Sequence, residues 1–266
     1  MTNTRLPTIF ISHGGGPWPY IPEMKAQFSK TAKWLESLPS SLPMKPKAIL
    51  SISGHWETDE FMVSTAVEPP MVYDYSGFPE HTYRIKYAAP GSPELAARVQ
   101  ELLTAAGIKN GSDPKRGFDH GTFVPLVMMY PDAKIPVVSM SIKRNYDPMD
   151  HIKLGEALKP LRDEGILIIG SGLSYHNMRG FGSPMAAGVS QLFGRWLGET
   201  IAIKDSAERS QALVAWEKAP AARHAHPQED HLIPLMAVAG AAGDDLGKTV
   251  FVDHVFGVDM ASYEFG

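Results

Sequence analysis

Cysteine is absent from the 266 residues. That removes disulfides, zinc fingers, iron–sulfur clusters and thiol nucleophiles, and leaves nitrogen and oxygen as the only ligands for a metal. Long apolar runs are also missing. None approaches the length of a membrane span, and Met1–Pro7 is short and polar, without the apolar core of a signal peptide. Charge of one sign is nowhere concentrated: 25 basic against 29 acidic residues give a net charge of −4. Nothing forms the basic stripe that nucleic acid requires, and a weakly acidic surface suits an anionic bilayer poorly. A cytoplasmic protein with neither nucleic acid nor membrane as partner is expected; these features do not specify an oligomeric state.

What is present is an ordinary globular composition, 44% hydrophobic, in a length that supports a substantial core without cross-links. Apolar runs at Thr8–Ser12, Ala48–Ser53, Val137–Ser141 and Ile166–Ile169 stop at glycine or histidine turns, as strands buried on both faces do. Thr249–Val252 and Val255–Tyr263 read as late strands. Between them lie helical patterns. Ser92-Pro93 opens one that Gly107 closes, and Asp147-Pro148 opens another that runs to Gly165 with a kink at Pro160. Met185–Ile203, Ala207–Ala219 and His231–Ala242 complete the helical set. The alternation predicts an α/β fold, a single three-layer domain over residues 1–266 whose central mixed, largely parallel sheet is flanked by helices. Val67–Pro90, rich in proline and aromatics, and the polar Asn110–Gly121 read as long functional loops.

Ten histidines stand out, and their positions sort them. His13 and His55 each follow a strand candidate directly, and His176 follows Ile166–Ile169 by one glycine turn. Loops beyond the carboxyl ends of strands are where α/β sheets bind ligands. His231 falls at the start of the last helix, where the helix dipole disfavours a charged imidazolium and leaves the neutral form that ligates metals. Glu229 and Asp230 beside it are candidate capping acids. His120 lies inside a polar loop, where a bond to its own backbone is the plain alternative. His81, His151 and His254 are assigned to structure or surface. Trp56, Tyr73 and Tyr75 are candidates to stack on an aromatic substrate, or equally to pack the core and loop. The string His13-Gly14-Gly15-Gly16 carries a rival reading, the oxyanion loop of an α/β hydrolase with Ser174 as nucleophile. Gly172-Leu173-Ser174-Tyr175-His176, however, lacks the last glycine of the nucleophile elbow.

Six segments in order resemble the class III extradiol ring-cleavage dioxygenases of the 4,5-DOPA dioxygenase-like group. They are Phe10-Ile11-Ser12-His13-Gly14, Ser53-Gly54-His55-Trp56, Tyr87 to Pro93, Gly117-Phe118-Asp119-His120-Gly121, Gly170-Ser171-Gly172 through His176-Asn177, and Asp230 to Leu235. The resemblance implies a non-haem enzyme using Fe(II), with Zn(II) able to occupy the same place, that opens a catechol ring beside its two hydroxyls with O2 and yields a muconic semialdehyde. It implies that His13, His55 and His231 hold the metal, that His176 is the acid–base residue and a possible fourth metal contact, and that His120 contacts substrate or oxygen. Protocatechuate-type relatives use glutamate as the third ligand, which makes Glu229 the alternative to His231. Besides the hydrolase, a non-catalytic member of the same scaffold is the remaining alternative.

Overall fold

The computed structural model describes residues 5–266. One eight-stranded sheet organises them, in the order β4-β3-β5-β2-β6-β1-β8-β7. Its centre is parallel: β1 (Thr8–Ser12) pairs with β6 (Ile166–Gly172), β6 with β2 (Ala48–Thr58), and β2 with β5 (Val137–Lys143). These strands are buried along almost their whole length, which is why they read as continuous apolar runs rather than alternating ones. One edge is an antiparallel hairpin, β7 (Gly247–Val255) and β8 (Val258–Phe265), with β8 also pairing with β1. The other edge is β4 (Asn110–Asp113), paired in parallel with β3 (Phe61–Ser64), which in turn bonds to β5. The sheet is thus mixed and largely parallel, as the sequence predicts.

Helices cover both faces, and β6 shows the alternation. Ser171 donates to the carbonyl of Gly121 in α4 (His120–Met129). Gly170 and Gly172 lie against Pro234 in α9 (Ile233–Ala242) and against His231 just before it. α9 is buried at every position, so it shows no amphipathic stripe. It packs on α5 (Pro148–Leu158) at backbone contact, because a Cβ on Gly155 would stand 2.0 Å from the Ala237 carbonyl and one on Gly240 2.1 Å from that of Ile152.

The expected caps form: Ser92 accepts from Leu95 N–H at the start of α3 (Pro93–Ala105), and Asp147 accepts from Met149 and Asp150 N–H at the start of α5. Beyond Leu158 the chain tightens into a 3-10 turn through Pro160, in place of a kinked α-helix. Several expectations need correction. β2 runs to Thr58, past Ser53, because a register shift between Ile52 and Glu57 absorbs Gly54-His55 as a bulge. α1 (Pro22–Gln27) and α2 (Ser29–Ser41) were not anticipated. The segment Ala207–Ala219 divides at Ala215 into α7 (Ser206–Val214) and a 3-10 turn, ahead of α8 (Ala222–Ala225). Asn110–Gly121 is no continuous loop, since it supplies β4 and the start of α4. The late strands meet at a two-residue turn, Phe256-Gly257, with both φ angles positive, the mirror-image turn that hairpin twist favours.

Candidate metal centre

Two strands and one helix entry aim imidazoles at one place. His13 follows β1 directly, and its N–H donates to the Gly172 carbonyl. His55 sits in the β2 bulge, a device that re-aims a side chain without ending the strand. His231 precedes α9 by two residues, outside the helix proper. Its carbonyl accepts from Leu173 N–H and lies where a Cβ on Gly172 would stand, 2.0 Å away. Glycine at 172 therefore lets the His231 segment lie directly on the end of β6.

The Nε2 atoms of His13 and His55 are 3.2 Å apart, and those of His55 and His231 are 3.0 Å apart. Ligand nitrogens around a divalent metal, with bonds of about 2.0–2.1 Å, stand about 2.9–3.4 Å from one another. Burial, reinforced by the neighbouring histidines, holds the pKa of His13 well below its ordinary value and that of His55 down at about 4. Burial likewise depresses His231, against the opposing pull of Asp230. All three are held as neutral imidazole, the form that ligates. The donor set fits a metal ion.

Two aspartates bracket this centre, and the sequence reading assigned neither of them that place. Asp230 accepts from Nδ1 of His231 at 2.6 Å and faces Nδ1 of His176 at 3.4 Å. A carboxylate only accepts, so the His231 proton is fixed on Nδ1 and Nε2 keeps its lone pair. Asp74 accepts from the backbone N–H of His120 at 3.0 Å and from its Nδ1 at 2.9 Å, and faces Nδ1 of His55 at 3.3 Å. Burial pushes the Asp74 carboxyl up, but His120 and His55 outweigh it and hold the group at about 2. The same opposition, with His176 and His231 prevailing, keeps Asp230 well below the usual carboxylate range. The signal for Asp230 was its adjacency to His231; Asp74 had only its place between Tyr73 and Tyr75.

His120 and His176 complete the ring of histidines. His120 is buried as the first residue of α4, capped by Asp119, not in a polar loop, and its ring lies 4.0 Å from that of His55. His176 stacks on His231 with centroids 3.5 Å apart. All five histidines line a cavity of about 630 Å³ whose far wall is apolar.

Other expectations do not survive the geometry. Glu229 pairs with Arg223 at 2.5 Å, so its carboxylate neither caps α9 nor joins the histidines. Trp56 does not line the cavity; it lies under the Arg116 guanidinium, 4.9 Å away. Tyr73 donates to the Ile85 carbonyl and braces the loop, whereas Tyr75 does line the cavity. Ser174 is buried with its Oγ accepting from Ala261 N–H at 2.7 Å, and the imidazole that approaches it, His226, donates to its carbonyl. A serine so placed is no nucleophile, and the hydrolase reading falls. His151 is buried as a structural residue, while His81 and His254 are exposed.

The family of the catalytic LigB subunit of aromatic ring-opening dioxygenases matches residues 7–263. A 4,5-DOPA dioxygenase extradiol of Beta vulgaris is 45% identical over 260 residues, covering 96% of this chain and 94% of its own. One of Escherichia coli (strain K12) is 34% identical, over 98% of this chain and 93% of its own. The solved structure of an uncharacterized Escherichia coli K12 protein superposes with a TM-score of 0.79 at 30% identity, over 98% of this chain and 100% of that one. The chain belongs to this LigB family, and it is an extradiol ring-cleavage dioxygenase, an oxidoreductase.

Proposed function

We propose that the chain cleaves a catechol-type ring with O2, both oxygen atoms entering an open-chain muconic semialdehyde, at a single metal held by His13, His55 and His231. The observation that carries this is the convergence of three neutral imidazole nitrogens at 3.0 and 3.2 Å. The metal, Fe(II) or Zn(II) by the donor set and Fe(II) for the redox step, would bring the ring oxygens and O2 together in one electron path. A cytoplasmic setting accords with a cysteine-free chain in which, among the described residues, no helix is long and apolar enough to cross a membrane.

The protein's own groups do the rest. His176 stands beside His231 with Nδ1 turned to Asp230, so Nε2 is the nitrogen that takes the proton from a ring hydroxyl and returns it later in turnover. Histidine suits this because its unperturbed pKa lies near neutrality. His120, oriented through Nδ1 and its own N–H by Asp74, presents the opposite face of its ring to the cavity and contacts substrate oxygen. Tyr75, 5.9 Å from His120 by centroids, gives the aromatic ring an edge to pack against. The apolar wall offers the opened ring packing surface without competing hydrogen-bonding groups. The direct test is anaerobic loading with Fe(II) or Zn(II), followed by a catechol panel in an oxygen electrode. Stoichiometric O2 uptake with a yellow semialdehyde product is expected for Fe(II); loading without uptake for any catechol would overturn the assignment.

A further inference from the structure

The lining beyond the histidines is largely aromatic and thioether. Met24, Phe28, Phe78, Phe181, Phe256 and Met260 form most of it. The aromatic members touch in sequence: Phe28 packs edge-on to Phe256 at 5.8 Å, and Phe256 on Phe181 at 6.2 Å. On the other side Phe78 meets Tyr75 at 5.5 Å and Tyr75 reaches His120. Gly16 admits this packing, since a Cβ there would stand 2.6 Å from the Phe78 ring. The volume, about 630 Å³, is that of a pocket for a drug-sized ligand and far exceeds one ring. The charged residue in the lining is Asp230, and its charge is negative. Phe256 adds a second observation: it holds φ +52 in the β7–β8 turn, where asparagine or glycine is favoured, and spends that strain placing its ring in the wall.

We propose that the substrate is a catechol bearing a bulky, uncharged apolar substituent, aryl or branched alkyl, seated against this wall, rather than one bearing a carboxylate. The inference rests on the catechol reading above. A carboxylate against the wall loses its hydration without a cationic partner and meets the Asp230 charge. An apolar group gains from burial against aromatic faces and adaptable thioethers. Arg179 lines an adjoining cavity of about 580 Å³, which shares His176, Met178 and Asp230 with the first, and there a carboxylate would meet a cation.

The test uses the Fe(II)-loaded chain and a matched panel: phenylcatechol, tert-butylcatechol, dihydroxybenzoate and dihydroxyphenylalanine. Binding is titrated without oxygen, and turnover is measured with it. The apolar pair is expected to bind, and to be cleaved, at least about tenfold better than the carboxylated pair. Phe256→Lys, with Met24→Lys as the second variant should the first misfold, is expected to narrow or reverse that order by placing a cation in the wall. Equal or better binding of the carboxylated pair by the unaltered chain overturns the proposal, and its loss in Arg179→Ala would locate their carboxylate in the adjoining cavity. Apolar-selective binding with no cleavage of any catechol would support the pocket assignment while overturning the ring-cleavage reading.

Discussion

His176 and His231 stack on each other and share one carboxylate, yet the proposed function gives them different work. The Nε2 of His231 lies 3.0 Å from that of His55, whereas His176 meets the group through its stack on His231 and its Nδ1 facing Asp230. His231→Ala is expected to lose the metal in elemental analysis. His176→Gln is expected to retain it while kcat and kcat/KM fall together by roughly 10²–10⁴-fold, as when a transition-state interaction is removed. Metal loss in His176→Gln as complete as in His231→Ala would make His176 a ligand and move the base to His120. Asp230→Asn keeps the shape but removes the charge that fixes the His231 tautomer, so metal affinity should weaken by about 10–100-fold. Glu229→Gln, whose carboxylate faces Arg223, should leave affinity unchanged; a drop there as large as in Asp230→Asn would contradict this arrangement.

At the scale of elements, glycine contacts divide cleanly between site and scaffold. Alanine at Gly172 would push the His231 carbonyl, and alanine at Gly155 would push the Ala237 carbonyl in the α5–α9 packing. Gly155→Ala is expected to cost about 1–3 kcal/mol in chemical denaturation through overpacking, with metal content and KM intact. Gly172→Ala is expected to lose metal before it loses fold; equal metal retention in both variants would show that the β6 end does not position His231. The same elements show what was legible in sequence. The central strands were, because burial on both faces leaves an unbroken apolar run, and so were the caps at Ser92 and Asp147, because their chemistry is local. β4 was not, because Asn-Gly-Ser-Asp has no strand character and is held by pairing with β3. α4 was hidden by the same logic: its residues are buried almost throughout and carry Pro125, so neither amphipathic period nor composition announces a helix.

Across the whole molecule, the site joins residues 42 and 176 positions apart, and what places them together is strand order. His13, His55 and His231 were legible because each follows an apolar run or precedes an apolar helix in the sequence; the apolar wall was not, because it draws Phe28, Phe78 and Phe256 from a helix boundary, a loop and a hairpin turn that share no sequence signal. The same fold buries histidines that take no part in the site. His151 lies in the core, its Nδ1 donating to the Asp147 carbonyl and its Nε2 accepting from Lys143 N–H. His226 is buried between Phe193 and Trp216 and donates to the Ser174 carbonyl. Burial lowers both from an ordinary 6.5 to about 4. The unfolded chain therefore binds protons that the fold refuses between those two values. Stability from these groups is complete above about pH 6.5 and declines as the pH falls toward 4, by up to about 1.4 kcal/mol per unit for each histidine. His151→Gln can keep both hydrogen bonds through its amide but cannot titrate. Denaturation midpoints of metal-free protein at about pH 7.5 and about pH 5 should show a smaller decline for His151→Gln than for the unaltered chain. Parallel declines in the two proteins would place the acid sensitivity elsewhere, in His226 or in the three imidazoles of the proposed metal centre.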